Sequence, residues 1–173
     1  MNLFLIGMMG SWKSTVGRKL ADTIKMEFID IDDAIEEVTE MKISDIFQEF
    51  GETRFREMET AFFSEKSKQE NQIFSTGGGV IMDPRNRNVL KKNGMTIFLN
   101  ASIETLAKRI HNTKKRPLLT DDNNLKSQLE KIWEERKKYY EDSAHHTIYT
   151  DNLNPIQVVD KILNLLENQF ENH

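Results

Sequence analysis

The sequence predicts an α/β fold in which helices cover both faces of a parallel sheet. Short apolar runs alternate with longer stretches of helical spacing along almost the whole chain. This alternation is typical of parallel strands, because each parallel pair needs a crossover connection. A chain of 173 residues is also long enough to form a substantial core. We therefore expect one domain over residues 1–173.

Five apolar runs are the strand candidates, and helical stretches follow most of them. The predicted strands are 3–6, 28–31, 73–76, 96–99 and 147–149, and the predicted helices are 14–23, 84–92, 102–111, 123–142 and 155–168. A helical segment of about 33–70 is too long for one crossover helix, so it is expected to carry a small subdomain that covers the substrate. The polar stretch 112–124, NTKKRPLLTDDNN, predicts a mobile loop.

Composition excludes several classes of protein. The net charge of −4 gives no polybasic footprint for nucleic acid. The absence of cysteine excludes a disulfide scaffold and thiolate metal sites. No apolar run approaches the length of a membrane span, and the N-terminal MNLFLIG predicts a first strand rather than a signal peptide. We expect a cytoplasmic protein that binds neither nucleic acid nor membrane.

The segment GMMGSWKST, residues 7–15, nearly matches the phosphate-binding pattern Gly-x4-Gly-Lys-Ser/Thr. Gly7, Lys13 and Ser14 match, but Trp12 replaces the second glycine. Backbone N–H groups at a helix N-terminus favour an anion. We expect Lys13 to reach the β- and γ-phosphates and Ser14 to ligate Mg²⁺. The alternative is a glycine turn before an ordinary helix, which the preceding strand and the Lys-Ser pair disfavour.

Acidic residues end the second predicted strand in FIDID, residues 28–32. Side chains two apart on a strand share a face, so Asp30 and Asp32 are expected to face one site, with Asp33 turned away. One carboxylate would hold Mg²⁺ through water, and the other would orient or deprotonate a hydroxyl. Two solvated carboxylates at a helix start remain the alternative.

Three further segments carry candidate binding groups, each with a structural alternative. In GETRFREME, 51–59, Arg56 and Glu59 are three apart and can meet on a helix, as in an ordinary surface ion pair. The glycines 77–79 allow close approach of a ligand, or form a tight turn. In KKRPLL, 114–119, Arg116 lies in a loop that closes over phosphates, or in a basic surface loop.

Together these pieces resemble the shikimate kinase family, whose members share the P-loop kinase fold of the nucleoside monophosphate kinases. The order and spacing of the motifs match over nearly the whole chain. The matching segments are GMMGSWKST at 7–15, FIDID at 28–32, IFQEFGETRFREME at 46–59, STGGG at 75–79, RPLL at 116–119 and ERKKYYEDSA at 135–144.

The resemblance implies an activity and a role for each matching residue. It implies ATP-dependent phosphorylation of shikimate to shikimate 3-phosphate in aromatic amino-acid biosynthesis, with ATP and Mg²⁺. Separately, we expect a monomer. The resemblance implies catalytic roles for Asp32 as base and for Lys13 and Arg116 as phosphate-neutralising groups. The implied shikimate contacts are Asp32, Arg56, Gly78, Gly79 and Arg136, with Glu59 orienting Arg56. The implied nucleotide contacts are Gly10, Ser11, Trp12, Lys13, Ser14, Thr15, Arg109 on adenine and Arg116. The implied Mg²⁺ neighbours are Ser14 and Asp30.

The resemblance also implies a three-layer α/β/α fold with a five-stranded parallel sheet. Insert 33–60 would cover shikimate, and lid 112–124 would close on ATP. Two departures bear on the nucleotide. Some family members pack an arginine on adenine where this chain has TDNLNP, 150–155, and Trp12 stands at a glycine position. A bulky residue that needs positive φ there costs on the order of 1–3 kcal/mol.

Three explanations of Trp12 stay open at this point: a recent change, an engineered change, or a tolerated one with the indole turned outward. Two other functions also stay open. One is a catalytically silent shikimate-binding protein, and the other is a different small-molecule P-loop kinase such as a gluconate kinase.

Overall fold

The computed structural model describes residues 1–110, 118–119 and 124–171. Its sheet has five strands in the order β2-β3-β1-β4-β5, and every neighbouring pair is parallel. The strands are β1 (Asn2–Ile6), β2 (Glu27–Asp30), β3 (Gln72–Ser75), β4 (Gly94–Asn100) and β5 (His146–Tyr149). The predicted α/β class and the five-stranded parallel sheet are confirmed.

Seven helices connect and cover these strands in the described part of the chain. They are α1 (Lys13–Ile24), α2 (Ile31–Thr39), α3 (Ile43–Lys66), α4 (Pro84–Lys92), α5 (Ile103–Arg109), α6 (Leu125–Ser143) and α7 (Pro155–Glu171), and a short 3₁₀ turn spans Val80–Met82. Among the described residues no helix is both long and apolar enough to cross a membrane.

The alternating side chains of β1 separate two apolar cores, one on each face of the sheet. Leu3 and Leu5 pack in a cluster with residues of α1 and α7. Phe4 and Ile6 pack in the other cluster, with residues of α3, α4 and α6. Because successive strand residues point to opposite faces, an apolar run over the whole of β1 predicts a strand covered on both sides.

The segment FIDID does not form the continuous strand that its alternation predicted. β2 ends at Asp30, whose side chain caps α2 by accepting hydrogen bonds from the N–H groups of Asp32 (3.1 Å) and Asp33 (3.4 Å). Asp32 therefore lies in the first turn of a helix, and the strand interpretation of this residue is wrong. An aspartate in the N-cap position accepts hydrogen bonds from free N–H groups of the first helical turn, and this favours the start of a helix.

The predicted insert consists of α2 and α3, and α3 changes direction at Gly51. Gly51 has φ 80° and ψ 166°, which interrupts the helical backbone between two halves of α3. This turn brings the second half, with Arg56 and Glu59, beside the carboxyl ends of the strands. The predicted lid, 112–124, lies mostly outside the described residues, as does Arg116 within it.

Candidate active site

A cavity of about 870 Å³ lies where the loops after β1, β2 and β3 meet. The carboxyl edge of an open parallel sheet is the usual place for a ligand. The structure brings together almost all the predicted site residues there; the cavity lining includes Gly10, Ser11, Trp12, Lys13, Ser14, Thr15, Asp30, Asp32, Arg56, Gly78, Gly79, Arg109 and Arg136.

The phosphate loop, residues 7–15, connects β1 to α1 and folds around the ammonium group of Lys13. Lys13 Nζ donates to the carbonyl oxygens of Gly7 (2.9 Å) and Met8 (3.0 Å), and its side chain is buried. Gly10 has φ 81°, a left-handed conformation that glycine adopts without strain. The N-terminus of α1 and the Lys13 charge together suit a phosphate group.

Trp12 occupies a left-handed backbone position directly before α1, with φ 70° and ψ 18°. Its carbonyl oxygen accepts from Val16 N (2.8 Å), so the helix begins normally. The indole packs against the core shared by α1 and α7, and the guanidinium carbon of Arg109 lies 3.4 Å from the ring centroid. Arg109 in turn donates to Thr150 Oγ1 (3.0 Å) and O (2.8 Å). The indole therefore stacks on Arg109 beside the phosphate loop.

Three side-chain oxygens gather at the first turn of α1. Ser14 Oγ lies 2.5 Å from Asp30 Oδ2 and 3.1 Å from Ser75 Oγ. Sequence reasoning missed Ser75, although the matching segment STGGG, 75–79, begins with this residue. Hydroxyl and carboxylate oxygens are the ligands that Mg²⁺ prefers.

Asp32 faces the cavity from the first turn of α2. Its Oδ1 atom is buried and has no hydrogen-bond partner among the residues that the structure describes. Desolvation by the surrounding protein, followed by the nearby carboxylates of Glu59 and Asp30, raises the pKa of Asp32 to about 7. A carboxylate with such a pKa can accept a proton near neutral pH.

Arg56 and Glu59 form the contact that their spacing predicted. Arg56 Nη1 donates to Glu59 Oε2 at 2.7 Å, and Glu59 is fully buried. Burial raises the pKa of Glu59, and the charge of Arg56 opposes that effect. The guanidinium packs so closely on the backbone of Gly79 that a Cβ there would collide with it. The third glycine of the run thus lets Arg56 reach the cavity.

Arg136 approaches the same place from α6 and is almost fully buried. Its Nε is a buried donor without a partner among the described residues. Two arginines from different helices therefore meet around one part of the cavity, and a guanidinium fork pairs well with a carboxylate. One helical turn later, Tyr140 donates to Gly78 O at 2.5 Å, a contact that sequence reasoning missed.

These features define a P-loop kinase of a small molecule: a phosphate loop at the carboxyl edge of a parallel sheet faces carboxylates and paired arginines. A family model described as shikimate kinase matches residues 9–167. The chain belongs to the shikimate kinase family.

Individual relatives are similar to this protein over nearly the whole chain. The chain is 41% identical over 167 residues to a shikimate kinase of Haemophilus influenzae, which covers 96% of this chain and 93% of the relative. It is 44% identical over 165 residues to a shikimate kinase of Sulfurihydrogenibium, which covers 94% of this chain and 95% of the relative.

Solved structures are similar to this chain as well. Shikimate kinase from Acinetobacter baumannii in complex with shikimate has a TM-score of 0.93 and 36% identity, covering 97% of this chain and 93% of that chain. A gluconokinase from Sinorhizobium meliloti has a TM-score of 0.55 and 18% identity, covering 99% of this chain and 97% of that chain, and shows the fold alone.

Proposed function

We propose that the chain transfers the γ-phosphoryl group of ATP to a hydroxyl of shikimate, giving ADP and shikimate 3-phosphate. The observation that carries the proposal is the meeting of Arg56 and Arg136 in the cavity that Lys13 and Asp32 also line. Two guanidinium groups favour a compact carboxylated acceptor. The phosphate loop beside them favours a nucleoside triphosphate as donor.

The carboxyl group of shikimate binds between Arg56 and Arg136 in this proposal. Glu59 holds Arg56 in place through their 2.7 Å contact. The unpaired buried Nε of Arg136 is consistent with a ligand carboxylate as its missing partner. Gly78 and Gly79 line the cavity beside these arginines and contact the bound acceptor.

The proton of the attacking hydroxyl passes to Asp32. Its buried oxygen has no hydrogen-bond partner in the described part of the chain, and its raised pKa suits a general base at neutral pH. As the new oxygen–phosphorus bond forms, the bond between the γ-phosphorus and the bridging oxygen breaks, and ADP leaves. Lys13 neutralises charge on the transferring group, because phosphoryl transfer depends mainly on positioning and electrostatic stabilisation.

Mg²⁺ fits the oxygen cluster of Ser14 and Asp30. The described residues contain no group of three His, Cys, Asp or Glu side chains placed to hold a metal. Mg²⁺ is nevertheless commonly bound by one or two carboxylates together with substrate phosphates. When bound, the ion would neutralise phosphate charge; Ser14 would contact it directly and Asp30 through water.

The remaining nucleotide contacts belong to the same proposal. Gly10, Ser11, Trp12 and Thr15 supply the loop around the phosphates, Arg109 lies toward the adenine, and Arg116 in the lid 112–124 closes on the phosphates. The insert of about 33–60 covers shikimate. We place the protein in the cytoplasm as a single-domain monomer in aromatic amino-acid biosynthesis, without a nucleic-acid or membrane partner.

The experiment that tests the proposal is an acceptor comparison with ATP and Mg²⁺. Shikimate and gluconate are offered separately, and the products are identified by mass spectrometry. We expect phosphorylation of shikimate at a far higher kcat/KM. Faster turnover of gluconate would indicate a different small-molecule kinase. Shikimate binding without any phosphorylated product would indicate the silent binding protein.

A further inference from the structure

Tyr140 connects the helix that carries Arg136 to the glycine loop, residues 77–79. It lies on α6, four residues after Arg136, and has no exposed surface. Its hydroxyl donates to Gly78 O at 2.5 Å, although the two residues are 62 positions apart in the chain. A buried tyrosine hydroxyl usually finds such a partner, but here the partner belongs to the loop that lines the cavity.

The position of this hydroxyl is set by ring packing. The ring of Tyr140 stacks on Phe98 with centroids 5.0 Å apart and planes inclined by 10°. Trp133 lies on the same stack, with its centroid 6.3 Å from that of Tyr140. Burial raises the pKa of Tyr140 to about 12, so the hydroxyl keeps its proton at neutral pH. The Tyr140 hydroxyl is therefore protonated at neutral pH, and the stacked ring holds it in one place.

The same hydroxyl lies close to Arg136, one of the two arginines that form the proposed carboxylate clamp. The charge of Arg136 lowers the pKa of Tyr140, against the larger opposing effect of burial. A Cβ built on Gly78 would lie 3.4 Å from Nη1 of Arg136 and 3.6 Å from the Tyr140 hydroxyl oxygen. Arg136, Tyr140 and Gly78 thus lie together in one packed group.

We propose that Tyr140 is a positioning residue for the acceptor site, which aligns both the glycine loop and Arg136. In a trans peptide the C=O and N–H point in opposite directions, so holding Gly78 O also sets the direction of the Gly79 N–H. Glycine has more backbone freedom than any other residue, so a run of three needs such a restraint. The inference rests on the proposed function, in which Gly78, Gly79 and Arg136 contact shikimate.

The test replaces Tyr140 by phenylalanine, which keeps the ring in its stack and removes only the hydroxyl. Tyr139→Phe is the matched control, because Tyr139 is the neighbouring tyrosine and its ring packs instead on Arg87, 4.4 Å from the guanidinium carbon. For wild type and both variants, calorimetry gives the Kd of shikimate without nucleotide. Steady-state kinetics give kcat and the KM of shikimate and of ATP, and thermal unfolding checks the fold.

We expect Tyr140→Phe to raise the Kd and KM of shikimate about tenfold, as when a buried hydrogen bond is lost. The KM of ATP should change less than about twofold, and Tyr139→Phe should match wild type. A shikimate Kd unchanged in Tyr140→Phe would overturn the inference. So would an equal rise in the KM of both substrates, which indicates a general structural role. A wild type that binds shikimate without turnover would refute the proposed function, while the Kd comparison would still test Tyr140.

Discussion

Replacing Trp12 by glycine tests how the chain accommodates an indole at a glycine position. The substitution has two opposing effects on the free energy of unfolding. Glycine at φ 70° relieves left-handed strain, which is worth about 1–2 kcal/mol for a residue with a Cβ. It also removes an indole that packs on the α1–α7 core and stacks on Arg109.

The loss of the indole's packing is the larger of the two effects. A half-buried indole gives up about 100 Å² of buried apolar surface, which is about 2.5 kcal/mol at about 25 cal/mol per Å². The cation–π contact with Arg109 adds about 1 kcal/mol. We therefore predict that Trp12→Gly lowers the free energy of unfolding by about 2 kcal/mol. For a chain of this length, that corresponds to a fall of about 6 °C in Tm.

Thermal unfolding followed by circular dichroism measures this shift, and Lys25→Gly is the matched control. Lys25 also has a left-handed backbone, with φ 58° and ψ 40° at the end of α1, but its side chain is exposed. Lys25→Gly therefore isolates the relief of strain and should raise the free energy of unfolding by about 1 kcal/mol. A higher Tm for Trp12→Gly than for wild type would refute the packing that we assign to the indole.

Three further predictions concern the clamp, the base and a histidine of the sheet edge. Arg136→Ala should raise the KM of shikimate roughly a hundredfold, because it truncates a buried charge that pairs with the ligand; an equal loss for ATP in steady-state assays would contradict the clamp. Asp32→Asn should lower kcat at least roughly a hundredfold while calorimetry shows retained shikimate binding; turnover close to wild type would exclude an essential base. His145 Nδ1 accepts from Thr96 N at 2.9 Å, and burial lowers the pKa of His145 below its usual value. The unfolded chain then binds the proton more readily, so stability is lost as pH falls through about 6.5, and Tm should fall less in His145→Asn than in wild type. Identical falls would show that His145 does not contribute.

The elements that the sequence predicted correctly depend on local patterns. The apolar run of β1 and the Lys13–Ser14 pair indicate a strand, a loop and a helix from neighbouring residues alone, and the structure has all three. The Arg56–Glu59 contact also followed from helical spacing. These features need no knowledge of distant parts of the chain.

The features that sequence reasoning missed depend on competition or on distant contacts. Alternation in FIDID predicted a strand through Asp32, but capping by Asp30 starts a helix at Ile31 instead. The link from Tyr140 to Gly78 joins positions 62 residues apart, and the stack of Trp12 on Arg109 depends on how α5 lies beside the phosphate loop. No local periodicity encodes either contact.

This chain belongs to the shikimate kinase family, and we propose that its phosphate loop functions with Trp12 in place. The most direct measurement is formation of shikimate 3-phosphate from ATP and shikimate, by the wild type and by Trp12→Gly, at a temperature where both are folded. The glycine variant supplies the same backbone N–H, and the indole lies beside Arg109. We therefore predict turnover by both proteins, within about tenfold of each other. Product from the glycine variant alone would show that the indole closes the phosphate site, and product from neither would contradict the assignment of the activity.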